Sequence, residues 1–201
     1  LRTFYPARRL EREWGIPLTT AHHIEEPSLP WGTATLLAGC GIRHLTNPYL
    51  GYDTTFGELQ CPPLFSLEGP DGSRIKVWLD RFASSKSNYT QGAAMLRKPD
   101  SIEREWIAHY AGRGAGYPLR SILASGTHGD ISPHSGNRAR EFAEALIRYN
   151  AQTGDHPKLV NATFPMFWQA VEEAEAKQPF LPVVRGCFGH SWDLWPVSLA
   201  K

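Results

Sequence analysis

The chain lacks the long apolar runs and the charge imbalance that would assign it to several common classes of protein. No apolar stretch approaches the roughly 20 residues that a membrane-spanning helix needs. The 21 basic and 20 acidic residues leave a net charge of +1 without a basic cluster. Nothing in the sequence therefore predicts binding to nucleic acid or to an anionic membrane, and we expect a soluble globular chain.

The sequence also contains few cysteines, and it does not begin with an initiator methionine. The three cysteines, Cys40, Cys61 and Cys187, are odd in number and widely separated, so they form neither a zinc-ribbon spacing nor a disulfide framework. We interpret them as small buried thiols. The sequence begins at Leu1 without a signal-like segment, which predicts a fragment or a processed product of a longer protein and leaves the cellular compartment open.

Proline and glycine, by contrast, are abundant between short apolar segments, with 16 and 18 residues. Segments with the period of a strand alternate with segments of helical period. This alternation predicts a parallel sheet covered by helices, an α/β architecture, in a single domain over residues 1–201. Strands are predicted at residues 16–21, 43–46, 120–125, 158–162 and 181–185, and helices at residues 31–38, after Asp100, at 137–150 and after Thr163.

The clearest local pattern lies at residues 63–78. Apolar residues alternate with polar ones from Phe65 to Leu67 and again from Ile75 to Leu79, which is the period of a half-buried ribbon. The Pro-Asp-Gly sequence at residues 70–72 suits a turn, because proline presets one backbone angle and glycine accepts a positive one. The sequence therefore predicts a β-hairpin.

Chemically reactive side chains follow four of the predicted strands. In parallel α/β folds such groups gather on loops that leave the carboxyl ends of the strands. Two carboxylates that face each other across a cleft, with histidines beside them, suit glycosidic bond cleavage or metal-assisted hydrolysis. The four segments are residues 22–27, 46–49, 126–130 with His134 close behind, and 187–193.

Each of these segments also has a purely structural interpretation. The Glu25-Glu26 pair can complement the dipole of a following helix, and the Gly-Thr-His-Gly-Asp sequence at residues 126–130 can be an ordinary turn. His44 and His109 lie inside predicted elements and are interpreted as structural. The shared position at strand ends, rather than any single residue, favours a functional site.

The hairpin and its neighbours resemble a known family. The hairpin is similar to a segment in the catalytic domain of glycoside hydrolase family 38 α-mannosidases and their relatives. The order of the surrounding segments is also similar, over nearly the whole chain. The matching residues are Pro63-Leu64-Phe65 with Glu68-Gly69-Pro70-Asp71-Gly72-Ser73-Arg74, then Glu25-Glu26-Pro27 ahead of Trp31, residues 39–45, 126–130 and 163–170.

This resemblance implies a parallel β/α barrel of the seven-stranded type, here partial and lacking its first strands, with an inserted β-hairpin. It also implies a retaining glycosidase that acts on α-mannoside-like bonds. The nucleophile position falls on Glu25, where the family has aspartate, and an alignment shifted by one residue selects Glu26 instead. The general acid position falls near Asp130, with His128 as the competing residue.

The resemblance places substrate and metal ligands as well. We expect the substrate to be bound by the side chains of Trp31, Tyr49, His128 and Trp192. The family holds one zinc ion, usually through a His-x-Asp pair near the start of the domain, the nucleophilic aspartate and a later histidine. No His-x-Asp pair occurs near this N-terminus, so either a longer parent chain supplies the missing strands or this lineage has lost the metal. His22 and His23 are the substitute ligands.

Two other functions stay open. A metal-dependent carbohydrate deacetylase would draw its ligands from His22, His23, His128, Asp130 and His134. A non-catalytic carbohydrate-binding or scaffold module would have kept the fold while its acid and nucleophile drifted. The glutamate in place of aspartate and the absent His-x-Asp pair favour that second alternative.

Overall fold

The computed structural model describes residues 2–22, 29–47, 62–79, 102–112, 117–123 and 138–187. The chain forms two compact units. Unit 1 contains Leu1–Asp80 and Glu175–Lys201, and unit 2 contains Arg81–Ala174. Among the described helices, none combines the length and the apolar character that crossing a membrane requires.

Unit 1 is built on a five-stranded, mostly parallel sheet, which confirms the mixed α/β class. The described strands form one sheet in the order β1-β2-β4-β3-β5, and a closed barrel stays a prediction. The strands are β1 (Thr20–His22), β2 (His44–Asn47), β3 (Leu64–Glu68), β4 (Arg74–Leu79) and β5 (Val183–Val184). The first of them begins later than the sequence pattern indicated.

The predicted hairpin is confirmed, and it forms the middle of the sheet. Strands β3 and β4 pair in antiparallel fashion with Phe65 opposite Val77. The turn closes with a 3.0 Å hydrogen bond from the Gly72 N–H to the Gly69 carbonyl, and Gly72 has the positive φ of 83° that favours glycine. Because β4 also pairs with β2 and β3 with β5, the hairpin is part of the sheet rather than an insertion beside it.

The strands run in two directions, so their carboxyl ends lie at two opposite ends of the sheet, which we call its two edges. Strands β1, β2 and β4 run the same way, whereas β3 and β5 run the opposite way. The carboxyl ends of β1, β2 and β4 therefore lie at one edge, the carboxyl edge. The hairpin turn and the end of β5 lie at the other, the hairpin edge. The expectation that the last strand shares the carboxyl edge is wrong, because β5 pairs in parallel with β3.

One face of the sheet is apolar and covered by helix α2 (Thr33–Gly39). Residues at alternate strand positions point to this face, as a period of two dictates. They pack against Ala34 and Leu37 of the helix and form the core of unit 1. Helix α2 confirms the helix predicted at residues 31–38. The strand residues of this core are Leu45, Phe65, Leu67, Ile75 and Val77.

Helix α1 (Tyr5–Trp14) has no counterpart among the sequence predictions. Its signals are local: a proline lies in the first turn, and Gly15 ends the helix with a φ of 65°. The Gly15 N–H donates to the Glu11 carbonyl over 3.0 Å. Ion pairs within the helix, Arg8 with Glu11 and Arg9 with Glu13, add modest support.

Unit 2 is helical wherever it has regular structure among the described residues. A π-helical stretch, Ile102–Ile107, runs directly into α3 (Ala108–Ala111), and α4 (Arg138–Thr153) and α5 (Phe164–Lys177) follow. The last turn of α5 belongs to unit 1. All three predicted helices are confirmed, and Ile102, Trp106 and Tyr110 are buried as their four-residue spacing indicated.

The strands predicted at residues 120–125 and 158–162 are wrong in their described parts, residues 120–123 and 158–162. In both segments a side chain forms hydrogen bonds with backbone groups that would otherwise pair with a neighbouring strand. Asn150 of α4 accepts from the Leu159 N–H and donates to the Leu159 carbonyl, both over 2.8 Å. The Tyr117 hydroxyl donates to the Ser121 carbonyl over 2.6 Å.

Candidate functional site

Of the residues predicted to form a site, the structure describes His22 and Trp31. The roles assigned to the others stay predictions, because those residues lie outside the described ranges. They are Glu25 and its neighbour Glu26, Asp130, His23, Tyr49, His128, His134 and Trp192.

The face of the sheet that points away from the apolar core is largely polar. Strand alternation puts the residues between the core positions on this second face, which we call the polar face. The strand register aligns its residues in two rows across the sheet. One row is Thr20, His44, Lys76 and Ser66, and the row nearer the carboxyl edge is His22, Thr46, Trp78 and Leu64.

Part of the polar face is buried. His44 and Thr46 are both buried, and the Thr20 hydroxyl lies 3.4 Å from the Nδ1 atom of His44. His22 is a diagonal neighbour of His44 on this face, and the normal strand spacing puts their Cα atoms about 8 Å apart. Two imidazole rings, whose nitrogens can donate or accept hydrogen bonds, thus share one face of the sheet.

His44 was interpreted from sequence as structural, yet it lies on the same face as His22. The grouping follows from the pairing of Thr20 with His44, because His22 is two residues beyond Thr20 and returns to the same face. The alternation within each strand is visible in the sequence, but the register between the strands is not. The structure therefore places His44 on the same face as His22, at the start of β2 and one row farther from the carboxyl edge.

The described residues do not form a zinc site. In the part of the chain that the structure describes, no group of three or more His, Cys, Asp or Glu side chains is placed to hold a metal ion. Protein-bound zinc has at least three protein ligands, which His22 and His44 alone do not supply. The predicted ligand pair of His22 and His23 stays a prediction, since His23 lies outside the described ranges.

A second group of polar side chains lies at the hairpin edge and surrounds Glu68. The Oε2 atom of Glu68 accepts from the Nε atom of Arg74 over 2.7 Å, and the Oε1 atom accepts from the Nε atom of Arg185 over 2.5 Å. The hydrogen bonds from Arg185 and Arg74 hold the pKa of Glu68 below its usual value. The Glu68 side chain is 13% exposed, whereas those of Arg74 and Arg185 are 53% and 61% exposed.

Trp31 belongs to this second group. Its indole Nε1–H donates to the Glu68 carbonyl over 2.8 Å, and its backbone N–H lies 3.4 Å from the Sγ atom of Cys187. Cys187 is exposed and Cys40 is half-buried, so the interpretation of these cysteines as buried thiols is wrong for Cys187. We call Trp31, Glu68, Arg74 and Arg185 the tryptophan–arginine cluster.

His22 and the tryptophan–arginine cluster lie towards opposite edges of the sheet. His22 is in the same row as Trp78, whereas Glu68 pairs with Arg74, four residues earlier in β4. Four residues of strand span about 13 Å. The structure therefore does not bring Trp31 and His22 together, although the sequence analysis assigned Trp31 to substrate binding and His22 to metal binding in one site.

The turn of the hairpin is fixed to helix α2 by Asp71. The Thr35 hydroxyl donates to the Oδ1 atom of Asp71 over 2.5 Å, and the Ser73 N–H and hydroxyl donate to the same carboxylate over 3.0 and 2.8 Å. These bonds, that of Thr35 first, hold the pKa of Asp71 below its usual value. The Gly-Pro-Asp-Gly-Ser motif thus joins the hairpin to the helix, which is a structural role.

Gly69 makes this junction sterically feasible. A Cβ atom at this position would lie 2.4 Å from the Thr35 hydroxyl oxygen and 2.9 Å from the Thr35 backbone nitrogen. Real Cβ atoms essentially never approach other atoms so closely. Only glycine lets the helix approach the hairpin at this distance.

Comparison with known proteins identifies a similar fold. No protein-family model matches this chain, and no curated protein sequence matches it at a significant level. Among solved structures, the chain is similar to an α-mannosidase from Enterococcus faecalis V583, with a TM-score of 0.54 and 14% sequence identity. The match covers 92% of this chain and 20% of the mannosidase chain. This chain therefore shares a distant glycosidase-like fold with about a fifth of that enzyme.

Proposed function

We propose that this chain carries part of the active site of a retaining glycoside hydrolase that cleaves α-mannoside-like bonds. The observation that carries the proposal is the similarity of fold between nearly the whole chain and part of an α-mannosidase. The resemblance of the hairpin segment to family 38 mannosidases supports it from the sequence.

The two reacting carboxyl groups of the proposal are Glu25 and Asp130. Glu25 attacks the anomeric carbon while the carboxylic acid of Asp130 donates its proton to the leaving oxygen. Water then attacks the glycosyl-enzyme, Asp130 takes a proton from that water, and the bond to Glu25 breaks. This double displacement requires the two carboxyl groups to lie about 5–5.5 Å apart.

The carboxyl edge is the part of the described structure that supports the proposed role of Glu25. Glu25 follows the end of β1 at His22 by three residues, and Tyr49 follows the end of β2 at Asn47 by two. A sugar site needs hydrogen-bonding side chains near the reacting atoms, and the polar face offers His22 close to this edge. Glutamate is one methylene longer than the family's aspartate, which shifts the carboxylate oxygens by about 1 Å relative to the backbone.

Hydrolysis of nitrophenyl glycosides, α-mannoside first, tests the proposal. We expect release of nitrophenol by the protein and retention of the anomeric configuration, which proton NMR reads in the first sugar product. Glu25→Gln and Asp130→Asn should each abolish turnover. Glu26→Gln is the matched control, because it removes the adjacent carboxylate and should keep most of the activity.

The same experiment separates the alternatives. An inverted product, or loss of turnover in Glu26→Gln instead of Glu25→Gln, would contradict the assigned nucleophile. Absence of hydrolysis with every aryl glycoside, together with saccharide binding that Glu25→Gln leaves intact, would favour the non-catalytic carbohydrate-binding module.

A further inference from the structure

The tryptophan–arginine cluster presents a fixed aromatic surface to solvent. Trp31 is 38% exposed although hydrogen bonds hold it at its indole Nε1–H and at its backbone N–H. A ring fixed in this way loses little conformational freedom when a ligand packs against it. Exposed aromatic rings with one polar end suit ligands that offer both apolar and polar surface.

The two arginines that bind the Glu68 carboxylate, whose backbone carbonyl binds Trp31, keep hydrogen-bond donors that Glu68 does not use. Arg74 contacts Glu68 through its Nε and Nη2 atoms, and Arg185 contacts it through Nε. In both guanidinium groups the outer edge, formed by the two Nη atoms, retains N–H groups, and both side chains are more than half exposed. That edge can bind a carboxylate through two parallel hydrogen bonds.

The charges of the cluster favour an anionic ligand. Glu68 contributes one negative charge, and its lowered pKa keeps the carboxyl ionised near neutral pH. Arg74 and Arg185 contribute two positive charges, so these three side chains carry a net charge of +1, while the Asp71 carboxylate on the neighbouring turn is hydrogen-bonded to Thr35 and Ser73 and adds one negative charge. Glu68 also orients both guanidinium groups, which reduces the entropy that a ligand would otherwise lose in ordering them.

We propose that the tryptophan–arginine cluster binds a saccharide that carries a carboxylate, at a surface separate from the carboxyl edge. The apolar C–H face of the sugar ring packs on the Trp31 indole, and the carboxylate binds the outer edges of Arg185 and Arg74. This inference goes beyond the proposed hydrolase, and it holds whether or not the carboxyl edge cleaves glycosidic bonds.

The size of the cluster favours a sugar over a protein partner. One indole and two guanidinium groups match one or two sugar units, whereas a stable protein interface buries about 800 Å² on each partner. The neighbouring turn is polar, with Asp71 bonded to Thr35 and Ser73. A polar rim around a single aromatic ring is suited to a hydroxylated ligand.

Calorimetric titration at low salt tests the proposal with three probes: a galacturonic acid trimer, a neutral mannose trimer and acetate. We expect the galacturonic acid trimer to bind at least about tenfold more tightly than the other two, because only it offers both the ring and the carboxylate. Trp31→Ala and Arg185→Gln should each weaken its binding by about tenfold or more.

Matched controls exist on helix α1. Trp14→Ala removes another exposed indole and Arg12→Gln another exposed guanidinium, and both should leave binding within about twofold of wild type. Arg185→Gln keeps the test decisive if Trp31→Ala fails to fold, because Arg185 is 61% exposed and outside the core. Glu25→Gln should abolish hydrolysis yet leave trimer binding unchanged, which separates this surface from the proposed active site.

Several results would overturn the proposal. The proposal fails if the galacturonic acid trimer does not bind, or if Arg185→Gln leaves its binding unchanged. It also fails if the neutral trimer or acetate binds as tightly as the galacturonic acid trimer. A hexaglutamate peptide that binds as tightly as the trimer would show that the surface takes acidic polypeptide rather than a saccharide.

Discussion

Replacing Gly69 by alanine tests the junction between helix α2 and the hairpin. The new Cβ atom would meet the Thr35 hydroxyl at 2.4 Å and the Thr35 backbone nitrogen at 2.9 Å. Rotating the hydroxyl away breaks its hydrogen bond to Asp71, and the nitrogen can move only if the helix moves. That movement would disturb Ala34 and Leu37, which the helix places in the core.

Overpacking of this kind lowers the free energy of unfolding by about 1–3 kcal/mol. Because the new Cβ atom makes two close contacts at once, we expect Gly69→Ala to lower it by about 2–3 kcal/mol. For a chain of this size we expect the melting temperature to fall by about 4–12 °C. Thermal and urea unfolding followed by circular dichroism measure both quantities.

Gly39→Ala is the matched control for this prediction. Gly39 is the exposed last residue of the same helix, and outside the backbone of that helix a Cβ atom there meets no atom of the described residues within 4 Å. Alanine in a helix is favoured over glycine by about 0.5–1 kcal/mol, so stability should be unchanged or slightly higher. If Gly69→Ala changes the free energy of unfolding by less than about 0.5 kcal/mol, the close approach of helix and hairpin is refuted.

Three further predictions concern stability. The buried Tyr149 hydroxyl has no hydrogen-bond partner among the residues that the structure describes, and burial raises its pKa, so Tyr149→Phe should raise the free energy of unfolding by about 1 kcal/mol in urea titrations; a loss of stability would contradict this. Asn150→Ala removes both hydrogen bonds to Leu159 and should lower the free energy of unfolding by about 2 kcal/mol, and Asn150→Asp should not restore stability, because it sets a carboxylate oxygen against the Leu159 carbonyl oxygen; a stability equal to wild type in either variant would contradict this. Because the pKa of Glu68 is lowered in the folded state, the ionised carboxylate stabilises the fold above the ordinary glutamate pKa of about 4.5, and this stabilisation is lost as the pH falls through the lower pKa of the folded state. Glu68→Gln should therefore flatten the acid side of a plot of stability against pH. An unchanged plot would show that the two arginines do not stabilise the carboxylate.

The local features of the fold could be predicted from sequence because their causes are local. The hairpin follows from period-two alternation around a Pro-Asp-Gly turn, and the helix at Ile102, Trp106 and Tyr110 follows from four-residue spacing. The strand predicted at residues 158–162 fails because Asn150, on the preceding helix, bonds the Leu159 backbone. No pattern within residues 158–162 shows that the Asn150 side chain will bind their backbone.

The arrangement of the site depends on contacts that sequence patterns do not encode. The direction of β5 is set by its pairing with β3, and this pairing places the end of β5 at the hairpin edge. Trp31 is held there by the Glu68 carbonyl, which is 37 residues away in sequence. Likewise, His44 joins His22 only through the register of β1 with β2.

Covalent trapping of the nucleophile tests the proposed hydrolase most directly. A fluorinated mannosyl fluoride, which forms the glycosyl-enzyme quickly and hydrolyses slowly, should add one mannosyl group to the protein. Peptide mass spectrometry should locate that group on Glu25, and the Glu25→Gln variant should remain unlabelled. A label on any other residue, or turnover of the aryl mannoside without any covalent adduct, would contradict the account.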